Sequence, residues 1–351
     1  MAEAVGRLLI VGFEGTDFAE VERLVTEVRP SGLVFFKRNY PPDDGPERLR
    51  EFIERAQALA ESVLGRRLFM AIDHEGGRVQ RLPAPYTILP SAAEAVYGRG
   101  MSPADVEALA FQAGRELAGT GFNFNFAPVL DVAPPGSVFM SDRSFGGEPL
   151  KVAGFGRACL MAYRRAGLLG AGKHFPGLGA AELDPHHELP TINSDRRRLF
   201  EVDLAPFREL IAEGGLAAVM TTHALYPALD AERAATFSEA VVGLLKGGMG
   251  FDGAVLTDDL EMGAVAKNYP LGEAAVSAVR AGHDLCLVCR RADYIDECRR
   301  ALASAVAGGL ITEARLTDAR RRIDRLLSVL AAAWPAEARR RAWFEEMIAN
   351  N

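Results

Sequence analysis

Short apolar runs recur along the chain at Leu8–Phe13, Gly32–Phe36, Leu68–Ile72, Phe122–Val129, Gly167–Gly172, Ala217–Thr221, Gly253–Leu256 and Asp284–Val288. Between them lie segments with helical spacing and helix-start signals, such as Asp17 with Glu20, Ser102-Pro103 with Asp105, and the amphipathic stretch Leu316–Leu330. Strands that alternate with helices over a whole chain imply a parallel sheet of the α/β class. Eight such units predict a single-domain (β/α)8 TIM barrel over residues 1–351, its core at about 6–332 and a helical extension at 333–351. A doubly wound dinucleotide fold is disfavoured, because no Gly-x-Gly-x-x-Gly follows the first run.

The polar residues that close these runs gather chemistry on one rim of the predicted barrel, where such folds place their active sites. They are Lys37-Arg38-Asn39, Asp73-His74-Glu75-Gly-Gly-Arg78, Asp131, Lys173-His174, Thr222-His223 and Thr257-Asp258-Asp259-Leu260-Glu261. Five of the six histidines, His74, His174, His186, His187 and His223, fall there, which argues for a shared polar site. Pro176, Gly177, Gly179 and Pro185 forbid regular structure after Gly172, so His174, His186 and His187 are expected on a loop. Asp184 lies two residues before His186, close enough for a carboxylate to orient an imidazole for proton transfer. The competing reading is a histidine-rich surface loop with no chemistry.

Side chains alternate along a strand, so only one of Asp258 and Asp259 is expected to face a substrate. In the plain structural reading, Asp259 caps the next helix and Asp258 pairs with a base. In the chemical one, a carboxylate nucleophile works with a histidine acid, a pairing suited to glycosidic bond cleavage. Hydrolytic metal sites also use His and Asp at strand ends. Here the early strands lack a His-x-His pair, and Lys173 would bring a positive charge toward a cation.

Composition narrows the field. Hydrophobic residues make up 49% and charged ones 25%, with a net charge of −7, so the chain is an ordinary globular protein without a basic nucleic-acid footprint. The triplets Arg196–Arg198 and Arg339–Arg341 read as solvated helix faces. Residues 1–7 do not resemble a signal peptide, and no apolar run approaches the ~18 residues of a membrane span. A cytoplasmic protein, with no membrane partner, is expected. Four cysteines are too few for a disulfide framework at this length. His283-x2-Cys286-x2-Cys289 lies in a strand-like run, where residues three apart face opposite sides, so no metal is expected there.

The chain resembles the bacterial β-N-acetylglucosaminidases of glycoside hydrolase family 3. The resemblance rests on Gly32-Leu-Val-Phe-Phe-Lys-Arg-Asn39, Asp73-His-Glu-Gly-Gly-Arg-Val-Gln-Arg81, Phe124-Asn-Phe-Ala-Pro-Val-Leu-Asp-Val132, Asp142-Arg-Ser-Phe-Gly146, Lys173-His-Phe-Pro-Gly177, Val219-Met-Thr-Thr-His223 and Thr257-Asp-Asp-Leu-Glu-Met262. It implies a retaining, exo-acting β-N-acetylglucosaminidase acting in the cytoplasm on small glycosides from peptidoglycan turnover. Under it, Asp258 is the nucleophile and His186, oriented by Asp184, the acid/base. Asp73, Arg143, Lys173 and His174 hold the sugar, with Arg81 and His223 lining the same pocket. No cofactor or metal is implied, and a monomer is expected. The chain departs from the family loop Lys-His-Phe-Pro-Gly-His-Gly-Asp-Thr-x-x-Asp-Ser-His at Leu178, Ala180, Ala181 and Pro185. That departure keeps open another sugar specificity, phosphorolysis, or a sugar-binding protein that has lost catalysis.

Overall fold

The computed structural model describes residues 2–41, 45–185 and 187–349. Eight parallel strands close into a barrel: β1 Leu9–Val11, β2 Gly32–Phe35, β3 Phe69–Ile72, β4 Phe124–Asn125, β5 Leu169–Phe175, β6 Ala218–Thr221, β7 Ala254–Asp259 and β8 Leu285–Val288. Each neighbours the next in sequence, and β1 pairs with β8 to complete the ring. All eight lie where the apolar runs predicted them, because a barrel strand is covered by the interior on one side and by helices on the other.

Their ends differ from the sequence reading in two informative places. The run Phe122–Val129 yields only two ladder residues, since Pro128 lacks an N–H, and pairing resumes at an isolated bridge from Val129 to Lys173. The run beginning at Gly167 starts late and ends late. Gly167 terminates helix Pro149–Ala166 with φ of 84°, and β5 continues to Phe175. Lys173 and His174 are therefore strand residues, not loop residues as expected: Lys173 pairs with Met220 of β6 and bridges Val129, and His174 sits at the register shift that follows.

Helices such as Gly45–Leu64, Pro103–Thr120, Pro149–Ala166 and Leu271–Ala281 wrap the barrel. Helix Glu313–Ala333 crosses its N-terminal end, where Arg322 Nη1 donates to the carbonyls of Phe251 (3.0 Å) and Gly253 (2.7 Å). The last helix, Glu337–Ala349, packs on Pro103–Thr120. Trp343 meets Phe111 edge-on at 6.4 Å, and Arg115 donates to both oxygens of Glu346 at 2.9 and 2.7 Å. Two hairpins interrupt the pattern on the C-terminal rim, His74–Gly76 with Val79–Gln80 and Leu225–Tyr226 with Asp230–Ala234. Among the described residues no helix is long and apolar enough to cross a membrane.

Candidate active site

At the C-terminal mouth a cavity of about 290 Å³ is floored by Val34, Phe126, Met220 and Leu287 and rimmed by Phe36, Asp73, Arg81, Asp258 and Asp259. The floor is the uppermost apolar filling of the barrel. The rim is built from Phe36 and Asp73, which directly follow β2 and β3, from Arg81 after the first hairpin, and from the last two residues of β7.

β7 delivers both acids through a bulge. Leu256 pairs with Leu285 and Asp259 with Leu287, so three residues on β7 oppose two on β8. Strict alternation fails here, and Asp258 and Asp259 both line the cavity, contrary to the expectation that only one would. Thr257 Oγ1 fills the broken ladder by accepting the Leu287 N–H at 3.0 Å. Asp258 Oδ1 accepts the N–H of Asp259 at 2.8 Å, and its other oxygen lies 4.0 Å from His174 Nε2. Asp259 folds back instead, Oδ1 accepting the N–H groups of Glu261 (3.0 Å) and Cys289 (3.2 Å). Burial, together with the charges of Glu261 and Asp258, raises its carboxyl to about 7.

Opposite stands a compact ionic cluster. Lys173 Nζ donates to Asp73 Oδ1 at 2.8 Å and lies 2.6 Å from Glu75 Oε1. Arg143 grips Glu75 with Nε and Nη2 at 2.9 and 2.7 Å, and Arg81 reaches Asp73 at 3.3 Å. Burial opposes charge on both acids, yet Lys173 and Arg81 hold Asp73 below the usual carboxylate range, and Arg143 and Lys173 do the same for Glu75. Lys173 is raised in turn: burial would lower it, and Asp73 and Glu75 outweigh burial. Arg143 thus spends most of its donor fork on Glu75, with Nη1 turned to Met140 Sδ at 3.8 Å.

His174 is set by Asp131, which is fully buried. Asp131 Oδ2 accepts from His174 Nδ1 at 2.6 Å, while Oδ1 accepts the backbone N–H of His174 (3.1 Å) and of Leu178 (2.6 Å). With Nδ1 donating to a carboxylate, Nε2 is the acceptor for Arg143 Nη2 at 3.3 Å. The sequence reading places Glu75 and Asp131 on the rim without a role in the site. Glu75 had a signal: it sits two residues after Asp73, on the same face of an extended segment.

The histidine count misleads. His74 is buried and faces away, its backbone N–H and C=O both bonded to the Asn125 side chain at 3.0 Å. His223 was expected to line the sugar pocket, but it is buried behind it. Its Nε2 lies 2.9 Å from the Asp259 carbonyl and its Nδ1 2.7 Å from Thr236 Oγ1, so it braces the Asp258 segment. His187 is exposed in a turn. His174 reaches the edge of the cavity, its Nε2 4.0 Å from Asp258 Oδ2.

His186 lies outside the described residues. Its neighbours are defined: the Asp184 carbonyl accepts the N–H groups of His187 (3.0 Å) and Glu188 (3.1 Å), and the Pro185 carbonyl accepts that of Ala264 at 3.1 Å. The loop therefore touches helix Gly263–Ala266, which starts just after Asp258 and Asp259. Leu178 and Ala181, the departures from the family loop, pack into a buried cluster with Leu130, Phe139 and Tyr226. Hydrophobic burial holds this half of the loop where polar contacts were expected. Among the described residues, no group of three or more His, Cys, Asp or Glu side chains is arranged to hold a metal ion.

A carboxylate on a cavity edge, faced by fixed cations and acceptors, suits attack on a carbon bearing hydroxylated neighbours. Comparison with known proteins agrees. Residues 1–326 match the model of the glycosyl hydrolase family 3 N-terminal domain. The chain is 39% identical over 295 residues to a β-hexosaminidase from Alkalilimnicola ehrlichii, covering 82% of each, and 35% identical over 310 residues to one from Methylococcus capsulatus, covering 86% and 89%. Among solved structures it superposes on a family 3 β-N-acetylglucosaminidase from Paenibacillus with a TM-score of 0.86 at 35% identity, covering 99% of this chain and 68% of that one. A β-N-acetylhexosaminidase from Beutenbergia cavernae gives 0.82 at 28% identity, covering 93% and 98%. By the match to the family model and by these relatives, the chain belongs to glycosyl hydrolase family 3.

Proposed function

We propose that the protein is a retaining, exo-acting β-N-acetylglucosaminidase that removes terminal β-linked N-acetylglucosamine from peptidoglycan-derived glycosides, working as a cytoplasmic monomer. The observation that carries the reading is Asp258, at the cavity edge with one oxygen 4.0 Å from His174 Nε2 and the Asp73–Lys173–Glu75–Arg143 cluster across from it. The names of the relatives supply the sugar.

In the first step an Asp258 oxygen attacks C1, the glycosidic C1–O bond breaks, and the departing oxygen takes a proton from His186, which Asp184 orients. In the second, His186 takes a proton from water, the hydroxide forms a bond to C1, and the Asp258 ester breaks. Asp73 accepts from sugar hydroxyls, and the N–H groups of Lys173 and Arg143 not held by Glu75 and Asp73 donate to them. Arg81 closes the pocket wall and His174 presents its ring to the hydroxyl nearest Asp258.

The test is release of 4-nitrophenol from its N-acetyl-β-glucosaminide, with the anomer of the freed sugar followed by NMR before mutarotation. Release of the β-anomer is expected. Release of the α-anomer would overturn the double displacement, and no release would overturn the assigned substrate.

A further inference from the structure

The hairpin Leu225–Tyr226 with Asp230–Ala234 contributes nothing to the cavity, yet it holds both ends of the segment that runs from Gly177 to Pro190. At the exit, the Leu225 N–H donates to the Pro190 carbonyl at 2.9 Å, and the Ile192 N–H donates to the Leu225 carbonyl at 2.8 Å. At the entrance, Tyr226 Oη donates to the Gly177 carbonyl at 2.7 Å. Tyr226 is 1% exposed and shares a packed cluster with Leu178, Ala181 and Ile192.

Gly177 is where this hold matters most. Its φ is 129°, a conformation that suits glycine, and a Cβ there would meet the Cβ of Asp203 at 2.7 Å. Gly177 thus packs against Asp203 while its carbonyl is held by Tyr226. The phenol donor on the Gly177 carbonyl, together with Asp131 on the Leu178 N–H, sets the direction in which the chain leaves β5, seven residues before Asp184.

We propose that Tyr226 is a positioning residue: by fixing Gly177 it fixes the segment that presents Asp184 and the acid/base beside it. The inference rests on the reading of that segment given above. A misplacement of about 1 Å at a proton donor lowers the rate by about 100-fold. The loss falls on leaving groups that need a proton.

Tyr226→Phe removes the hydroxyl and keeps the ring. For each enzyme, kcat/KM, which reports cleavage of the glycosidic bond, is measured with the N-acetyl-β-glucosaminides of 4-nitrophenol and of methanol. Hydrogen exchange is followed at the amides of residues 177–192. The variant is expected to lose about 10- to 100-fold with the methyl glycoside, less than threefold with the 4-nitrophenyl glycoside, and to exchange faster in that segment with the barrel strands unchanged. Equal loss on both substrates, or no loss on either, overturns the positioning role, as does unchanged exchange. If the wild-type protein cleaves neither glycoside, the functional reading fails, and exchange alone then decides the hold on the segment.

Discussion

Two clusters of buried charge occupy opposite ends of the barrel, built from the same residue types, and they are finished differently. At the N-terminal end Asp284 is fully buried. Its Oδ2 accepts the Val255 N–H at 2.9 Å, and Oδ1 accepts from Lys246 at 2.8 Å and from Arg315. Lys246 and Arg315 share Asp318, and Arg322 carries the network on to the carbonyls of Phe251 and Gly253. These charges bind strand starts to helix Glu313–Ala333. At the C-terminal end Asp73, Arg81 and Asp258 line a cavity, and Glu75 and Arg143 hold each other behind it. At Asp284 both carboxylate oxygens are spent on a backbone N–H and two cations, which makes a structural joint. Incomplete pairing beside a void makes a site, because the unspent hydrogen-bonding capacity is available to a ligand.

The comparison is tested most severely at Asp258. Asp258→Ala is expected to lower kcat by about 10⁴-fold or more while leaving the melting temperature within a few degrees of wild type. Retained turnover would remove Asp258 from the chemistry. Asp284→Ala is the opposite case: it leaves Lys246 and Arg315 with Asp318 as their shared carboxylate and the buried Val255 N–H without its acceptor, and should cost about 3–5 kcal/mol in urea unfolding, with kcat of the folded fraction unchanged. A large fall in kcat at full folding would mean that the N-terminal cluster is coupled to the site.

Glu75→Gln probes the boundary between the two kinds of cluster. One acceptor oxygen survives and Lys173 keeps Asp73, so the stability cost should be smaller than at Asp284. Arg143 loses its counter-charge and its second bond, and kcat/KM is expected to fall by about 30- to 100-fold, or roughly 2–3 kcal/mol. Unfolding without a loss in the activity of the folded fraction would make the C-terminal cluster structural as well.

The barrel itself is legible because eight apolar runs with helical segments between them admit few other folds. The positions of Lys173, His174 and Asp258 follow from that, since strand ends point to one rim. What the sequence hides is set by contacts distant along the chain. Asp131 holds His174 from 43 residues away, and Glu75 takes its role from Arg143, 68 residues on. The bulge on β7 is invisible to strict alternation, though Thr257 offers a side-chain acceptor for the broken ladder. His74 and His223 count toward a site in one dimension and turn away from it in three. Leu178 and Ala181 read as lost polar contacts, whereas they exchange those contacts for burial.

Asp203 sharpens the comparison from between its two terms, as a buried acid beneath Gly177 that neither faces the cavity nor is fully paired. Arg198 stands 3.8 Å away. Burial raises its carboxyl to about 7, with Arg198 opposing and Asp131 adding to the shift. The folded protein therefore keeps a proton here that the unfolded chain releases near pH 4. Between about pH 4 and 7 the folded state binds more protons, so stability falls as pH rises through that window, and the deficit is complete above it. Allowing for relaxation around a charged group, the contribution is about 1–2 kcal/mol. Asp203→Asn mimics the protonated acid at every pH. In urea unfolding it should match wild type most closely near pH 4 and exceed it by that amount at pH 8; the difference between the two proteins isolates Asp203 from Asp259, His74 and His283, which titrate in the same window. An equal effect of the substitution at both pH values would mean that Asp203 is ionised in the folded protein throughout, and that Arg198 completes its pairing as fully as Lys246 and Arg315 complete that of Asp284.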